Sequence, residues 1–249
     1  MPPATRLKRH ISAADGAGPM KVLNAVLNLL FPPKCPFCQR LLMQEEYNSV
    51  MCGKCASRFP YIKRGEDTAD ARFCDGIVAA ARYEGQVREA VRRYKFASRM
   101  SYAKQFGEIL AEKLREHPEL EYDFITWVPV SRKRYRSRGY DQAKLLTREV
   151  AREMNIALRP TLKKVRNTPP QSSLGNPAQR RANVTGAYKL RKNADVVGKR
   201  ILIVDDVVTT ASTISECAGV LKSGGAAAVY GAAFARAAGK VAARKTADR

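Results

Sequence analysis

Three groups of residues in this chain carry side chains that can do chemistry. The first lies in Ile201-Leu-Ile-Val-Asp-Asp-Val-Val-Thr-Thr-Ala-Ser-Thr213. Asp205 and Asp206 close an apolar run, and Thr209, Thr210, Ser212 and Thr213 follow with Ala211 among them. Carboxylates are acceptors suited to the hydroxyl donors of a sugar. A turn of small hydroxyl residues entering a helix suits a phosphate, because backbone N–H groups and the positive end of the helix dipole converge there. The spacing matches a ribose diol and its 5′-phosphate, so the segment reads as one site for a phosphorylated sugar. The second group is Cys35-Pro-Phe-Cys38 followed after thirteen residues by Cys52-Gly-Lys-Cys55. Two such knuckles supply four thiolates for tetrahedral Zn2+, with no position left open for a substrate, so the metal is structural. Gly53 is expected to take the positive backbone dihedral of the second knuckle. The third group is Arg132–Arg138, where five of seven residues are Lys or Arg.

Other acid-pair chemistries fit poorly. A receiver domain needs a phosphoacceptor Asp on a later strand, and the only Asp after Asp206 is Asp248 in the tail. A nucleotide hydrolase needs G-x-x-x-x-G-K-[ST], and neither that motif nor G-x-G-x-x-G occurs. The bland alternative is a solvated acid pair at a strand tip with a Thr cap on the next helix. Neither His10 nor His117 is placed to be a general base, and no catalytic residue is assigned.

The elements that must hold these groups alternate. Strands are predicted over 76–83, 124–130, 199–204 and 226–234, and helices over 86–96, 102–115, 140–154 and 210–222. Residues 166–181 and the basic stretch after Pro129 read as loops. Such alternation predicts an α/β fold, a mainly parallel sheet flanked by helices, with ligands bound beyond the carboxyl ends of its strands. On the helix over 102–115, Phe106, Ile109, Leu110 and Leu114 share one face. Cys217 falls on an apolar helix face and is read as a core residue; Cys74 stands alone, with a second metal site as its alternative.

The chain has 249 residues, 45% of them hydrophobic, enough for a sizeable core. Lys and Arg number 45 against 23 Asp and Glu, a formal charge of +22, which predicts attraction to polyanions. No run is long and apolar enough to span a membrane. Val22–Phe31 contains two Asn and leads into Pro32-Pro33, so it reads as a docked amphipathic helix and not a signal peptide. Paired cysteines at metal spacing, without a disulfide framework, point to the cytoplasm. The expected organisation is a disordered leader over 1–19, with Met20 as a candidate start. A helix and four-cysteine zinc module with its linker follow over 20–70. The α/β domain covers 71–238, and a basic tail 239–249.

The stretch Val204–Thr213 resembles the phosphoribosyl pyrophosphate (PRPP) signature of type I phosphoribosyltransferases, with Ala211 where glycine is usual. Trp127-Val-Pro-Val-Ser-Arg-Lys-Arg-Tyr-Arg-Ser-Arg-Gly-Tyr-Asp-Gln-Ala143 is similar to the PVP…R…RG[FY][ND]Q segment of the ComF (competence protein F) family. Tyr94-Lys-Phe96, Pro170-Gln171, Arg181–Val184 and the four-cysteine module resemble other stretches of that family. The resemblance implies a phosphoribosyltransferase-like domain with an N-terminal zinc-ribbon-like module. It implies a site for PRPP or a phosphoribosyl nucleotide with Mg2+. Asp205 and Asp206 would hold the ribose, Thr209, Thr210, Ala211, Ser212 and Thr213 the phosphate, and Arg132, Lys133, Arg134 and Lys95 the pyrophosphate. It further implies a role in natural transformation or DNA use, beside single-stranded DNA and a DNA-uptake helicase. Tyr135 and Tyr140 would be able to stack on bases. Two readings stand together: a transferase, and a non-enzymatic nucleotide-sensing or DNA-associated adaptor. The acceptor and the oligomeric state are not specified by these residues.

Overall fold

A computed structural model describes residues 32–66, 71–97, 99–168 and 182–237. The leader, the helix expected over 22–31, most of the loop 166–181 and the tail 239–249 lie outside the described residues. The chain divides into two compact units, one ending at Phe59 and the other starting at Pro60.

The first unit is built around its cysteines. Cys35, Cys52 and Cys55 are buried with Phe37, Leu42, Val50, Met51 and Phe59, and the Phe37 and Phe59 rings meet edge to face at 5.0 Å. So small a core needs a staple, and the thiol cluster sits where one is required. Cys52 precedes a one-turn helix, α1 (Gly53–Ala56). Gly53 is helical there, so the expected positive dihedral belongs to neither of that knuckle's inner residues. It falls on Gln39 (φ 66°), just past the first knuckle, whose side-chain amide donates to the Cys35 carbonyl at 3.0 Å.

The second unit carries a four-stranded parallel sheet in the order β1-β6-β5-β2. Its strands are β1 (Gly76–Arg82), β2 (Phe124–Trp127), β5 (Arg200–Val208) and β6 (Ala228–Arg236). Ile77–Ala81 and Ile201–Val204 are buried, as strands with helices on both faces must be. The helices are α2 (Gly85–Phe96), α3 (Tyr102–Arg115), α4 (Arg132–Arg138), α5 (Gln142–Met154) and α6 (Ser212–Ser223). Phe106, Ile109, Leu110 and Leu114 of α3 are buried as the periodicity predicts. Where α3 crosses α5, a Cβ on Gly107 would come within 2.5 Å of Glu149 Cβ, so only glycine permits that approach. Tyr61 bridges Ala81, and Ile62 N donates to Ala80 O at 3.0 Å, so residues 60–62 pair with β1.

Two local expectations are corrected, and one unexpected pairing is added. The strand at the acid pair does not stop at Val204. It runs on to Val208, paired with β6 as far as Val208–Arg236, so the acids lie within β5. The basic stretch after Pro129 is a helix, α4, capped by the Ser131 hydroxyl accepting from Arg134 N and ended by left-handed Gly139 (φ 79°). Finally, β3 (Leu162–Lys164) and β4 (Tyr188–Leu190) pair antiparallel as a separate two-stranded sheet that three-residue periodicity could not announce.

Candidate functional site

Parallel strands β2 and β5 end on the same edge, with Trp127 opposite Val204. Pro129 and Val130 therefore flank the acid pair, and a cavity of about 250 Å³ opens there. Asp205, Asp206 and the whole stretch Val207–Ile214 line it, as do Lys95 and Arg134. The structure thus gathers seven residues of the sequence motif with two of the four basic candidates. Arg132 and Lys133 lie elsewhere, along a wider cleft of about 1150 Å³ on the other side of α4.

Asp206 is 3% exposed and its Oδ1 takes the Lys95 ammonium at 2.7 Å. Its Oδ2 is buried with no hydrogen-bond partner. A buried carboxylate oxygen without a donor is costly, and it is the atom a ligand hydroxyl would satisfy. Asp205 Oδ1 accepts from the Asp206 N–H at 2.8 Å. Burial, and next the neighbouring Asp206 carboxylate, push the Asp205 carboxyl up to about 7, with Lys95 opposing them.

Beyond β5 the chain turns through Thr209–Ala211 into α6. Thr210 Oγ1 and Ser212 Oγ lie 2.7 Å apart. Ala211 is the N-cap and is left-handed (φ 54°, ψ 3°), a conformation that favours glycine. As an alanine it offers no side-chain acceptor, so the N-terminus of α6 has no side-chain cap. An anion bound there would take that role.

Arg134 is steered by its NH2 group donating to Thr168 O at 3.0 Å, and Ser131 Oγ donates to Asn167 Oδ1 at 2.8 Å. Sequence reasoning missed Lys164 of β3, which lines both cavities. Its Nζ donates to the Tyr188 hydroxyl at 3.1 Å, and burial, then the Arg134 charge, lower its ammonium to about 8. Two short strands hold it, so no pattern flagged it. Arg138 and Gln142 also reach the smaller cavity. His117 lines neither; it is buried at the end of α3 with Nδ1 2.9 Å from Glu119 Oε1.

In the first unit the four thiols of Cys35, Cys38, Cys52 and Cys55 lie within 4.8 Å of one another. Cys38 and Cys52 sulfurs are 3.6 Å apart. A tetrahedron with zinc–sulfur bonds of about 2.3 Å has edges of about 3.8 Å, so the donor set fits zinc in kind and spacing. Glu46 ties the two knuckles together, accepting from Gly53 N at 3.0 Å and from the Arg40 guanidinium. Among the described residues this is the only cluster of three or more Cys, His, Asp or Glu set for a metal. Cys74 stands apart, its thiol donating to Val229 O at 3.3 Å and pushed up to about 11 by burial. Cys217 is buried in the core, as its helix face predicts.

A parallel sheet flanked by helices, with this site at the carboxyl ends of its strands, is a type I phosphoribosyltransferase fold. Residues 141–249 match the phosphoribosyl transferase domain model. The chain belongs to the ComF (competence protein F) family. It is 30% identical over 200 residues to the DNA utilization protein YhgH of Salmonella typhimurium, covering 78% of this chain and 80% of that one. It is 28% identical over 196 residues to Competence protein F of Haemophilus influenzae, covering 76% and 83%. Competence protein ComFC of Streptococcus pneumoniae is 26% identical over 203 residues, covering 75% and 87%. Among solved structures, glutamine PRPP amidotransferase from B. subtilis overlaps at a TM-score of 0.39 and 22% identity, over 57% of this chain and 30% of that one. Among the described residues no helix is long and apolar enough to cross a membrane.

Proposed function

We propose that the smaller cavity binds PRPP or a phosphoribosyl nucleotide with Mg2+. The observation that carries this is the orphaned Asp206 Oδ2 beside the uncapped start of α6. An unmet acceptor for a hydroxyl and an unmet donor set for a phosphate face one cavity. Ribose hydroxyls donate to Asp205 and Asp206, and Thr209–Thr213 wrap the 5′-phosphate. Arg134 and Lys95 neutralise the diphosphate, joined by Arg132 and Lys133 if it extends past α4. Mg2+ supplies Lewis-acid charge, carried chiefly by the ligand's own oxygens, since the hard cation prefers phosphate and water to a protein cage. The cysteines hold structural Zn2+, and their usage fits a reducing, cytoplasmic setting.

The test is thermal stabilisation by PRPP with Mg2+. We expect a rise in Tm that disappears when Asp205 and Asp206 both become Asn; an unchanged rise refutes the site. Pyrophosphate release across a panel of bases, ammonia donors and water then separates transferase from adaptor. Binding without release on every acceptor favours the adaptor.

A second reading rests on the wider cleft, where Arg132, Lys133, Arg136, Lys144, Lys163 and Arg191 face Trp127 and the exposed Tyr135. Cations interleaved with aromatics suit single-stranded DNA. That agrees with relatives named for DNA utilization and competence, and with a DNA-uptake helicase as partner. Salt-sensitive binding of oligonucleotide, lost when Arg132 and Arg136 become Ala, supports this role; binding unaffected by the change sinks it.

A further inference from the structure

The cavity holds more than phosphate and ribose would use. Helix α2 ends in Lys95-Phe96. Lys95 turns inward to Asp206, whereas the Phe96 ring stands 72% exposed at the same cavity. A large apolar ring left open beside a polar site contributes little to folding. Across from it, at the end of α4, the Arg138 guanidinium lies 4.8 Å from the Phe96 ring centroid. Arg138 is half-buried and has no ion-pair partner among the described residues. Behind them, Gln142 opens α5. It is 6% exposed, lines the cavity, and its Oε1 is buried without a hydrogen-bond partner. These groups are a stacking face, a pair of unused N–H donors and an unused carbonyl acceptor. None of them is needed by a sugar phosphate.

We propose that Phe96, Arg138 and Gln142 form the subsite for a planar heterocycle, so that the cavity's ligand is a nucleoside 5′-monophosphate. The inference rests on the phosphoribosyl reading of the same cavity. The ring stacks on Phe96, where base–aromatic contact is sequence-tolerant and strong. Gln142 Oε1 accepts from a ring N–H, and Arg138 donates to the adjacent carbonyl. Together they select a lactam edge, N–H beside C=O, over an amidine edge that places an amino group against the guanidinium. Leaving buried polar groups unpaired is what makes such discrimination steep. The same subsite serves a transferase, as the place of the acceptor base, and a sensor, as the reader of the nucleotide.

The experiment is calorimetric titration of the full-length protein with Mg2+ and three probes: ribose 5-phosphate, inosine 5′-monophosphate and adenosine 5′-monophosphate. We expect the inosine nucleotide to bind on the order of tenfold to a hundredfold more tightly than ribose 5-phosphate. The adenosine nucleotide should fall between them. Phe96→Ala should erase the gain of both nucleotides and leave ribose 5-phosphate, which has no base, as it was. Gln142→Leu should remove the inosine-over-adenosine preference while keeping the stacking gain. Ribose 5-phosphate and inosine 5′-monophosphate binding equally overturns the base subsite alone. A nucleotide gain that survives Phe96→Ala does the same. Failure of all three probes overturns the phosphoribosyl reading and this inference together.

Discussion

Replacing Lys95 by Met should destabilise the protein in a pH-dependent way, because Lys95 makes the ion pair with Asp206. Lys95 Nζ and Asp206 Oδ1 are 2.7 Å apart, with the side chains 20% and 4% exposed. At an effective dielectric of about 20, unit charges at that distance attract by about 6 kcal/mol. Desolvation cancels part of this, and removing one partner of a buried pair typically costs about 3–5 kcal/mol. Lys95 reaches the pair from the rim of an open cavity, so the low end, about 3 kcal/mol, is expected at pH 8. For a domain of this size that is a fall in Tm of roughly 6–12 °C. At pH 5 the Asp205 carboxyl, held at about 7, is protonated, and Lys95 then balances one carboxylate instead of two. The loss at pH 5 should therefore be smaller than that at pH 8 by the part owed to Asp205, while the Asp206 pair persists. Thermal melts of the wild type and Lys95→Met at both pH values decide the matter. Equal losses at the two, or none at pH 8, would refute the electrostatic account of the site.

The raised Asp205 carboxyl carries its own signature. Against an ordinary value of 3.8, its contribution to stability is fully present below about pH 4 and is lost as pH rises through 7. Ribose hydroxyls that donate to the ionised form pull the value down, so sugar-phosphate affinity should strengthen up to about pH 7 with proton release; titrations in buffers of different ionisation enthalpy measure that proton. Ala211→Gly exchanges a left-handed penalty of about 1–2 kcal/mol for about 0.4–1 kcal/mol of backbone entropy. A Tm gain of up to roughly 4 °C is expected, and a fall contradicts strain at that position. Elemental analysis should find one zinc per chain, and Cys52→Ser should abolish it while leaving the melt of the second unit within about 2 °C; a collapse of both units would show that the metal staples more than its own module.

Much of the α/β frame was legible because helices α2, α3, α5 and α6 bury regular stripes and the parallel strands are continuous apolar runs. The acid-and-hydroxyl segment was legible for a related reason: chemistry that needs contiguous backbone leaves a contiguous motif. What escaped depends on tertiary pairing. Asp205 and Asp206 break the apolar run, yet β6 carries β5 past them to Val208, because ladder hydrogen bonds do not consult side-chain polarity. The helix α4 did carry a signal, Ser131 and Gly139 at its two ends, but seven residues dense in charge outweighed it. Ala211 stands where glycine is usual, and its left-handed conformation, set by the turn into α6, shows why. Lys164, Arg138 and Gln142 come from three separate elements, and nothing in their local sequence marks the point where they meet.

The acid pair belongs to β5, an interior strand paired with β2 as far as Val204 and with β6 through to Val208. Phe96, in contrast, hangs from the last turn of a surface helix, and Arg138 from the last turn of another. One half of the cavity cannot shift without melting the domain, and the other is free to be rewritten residue by residue. If the cavity binds as proposed, a lineage could exchange the heterocycle it takes many times over without once disturbing the acid pair of β5 and the turn that follows it.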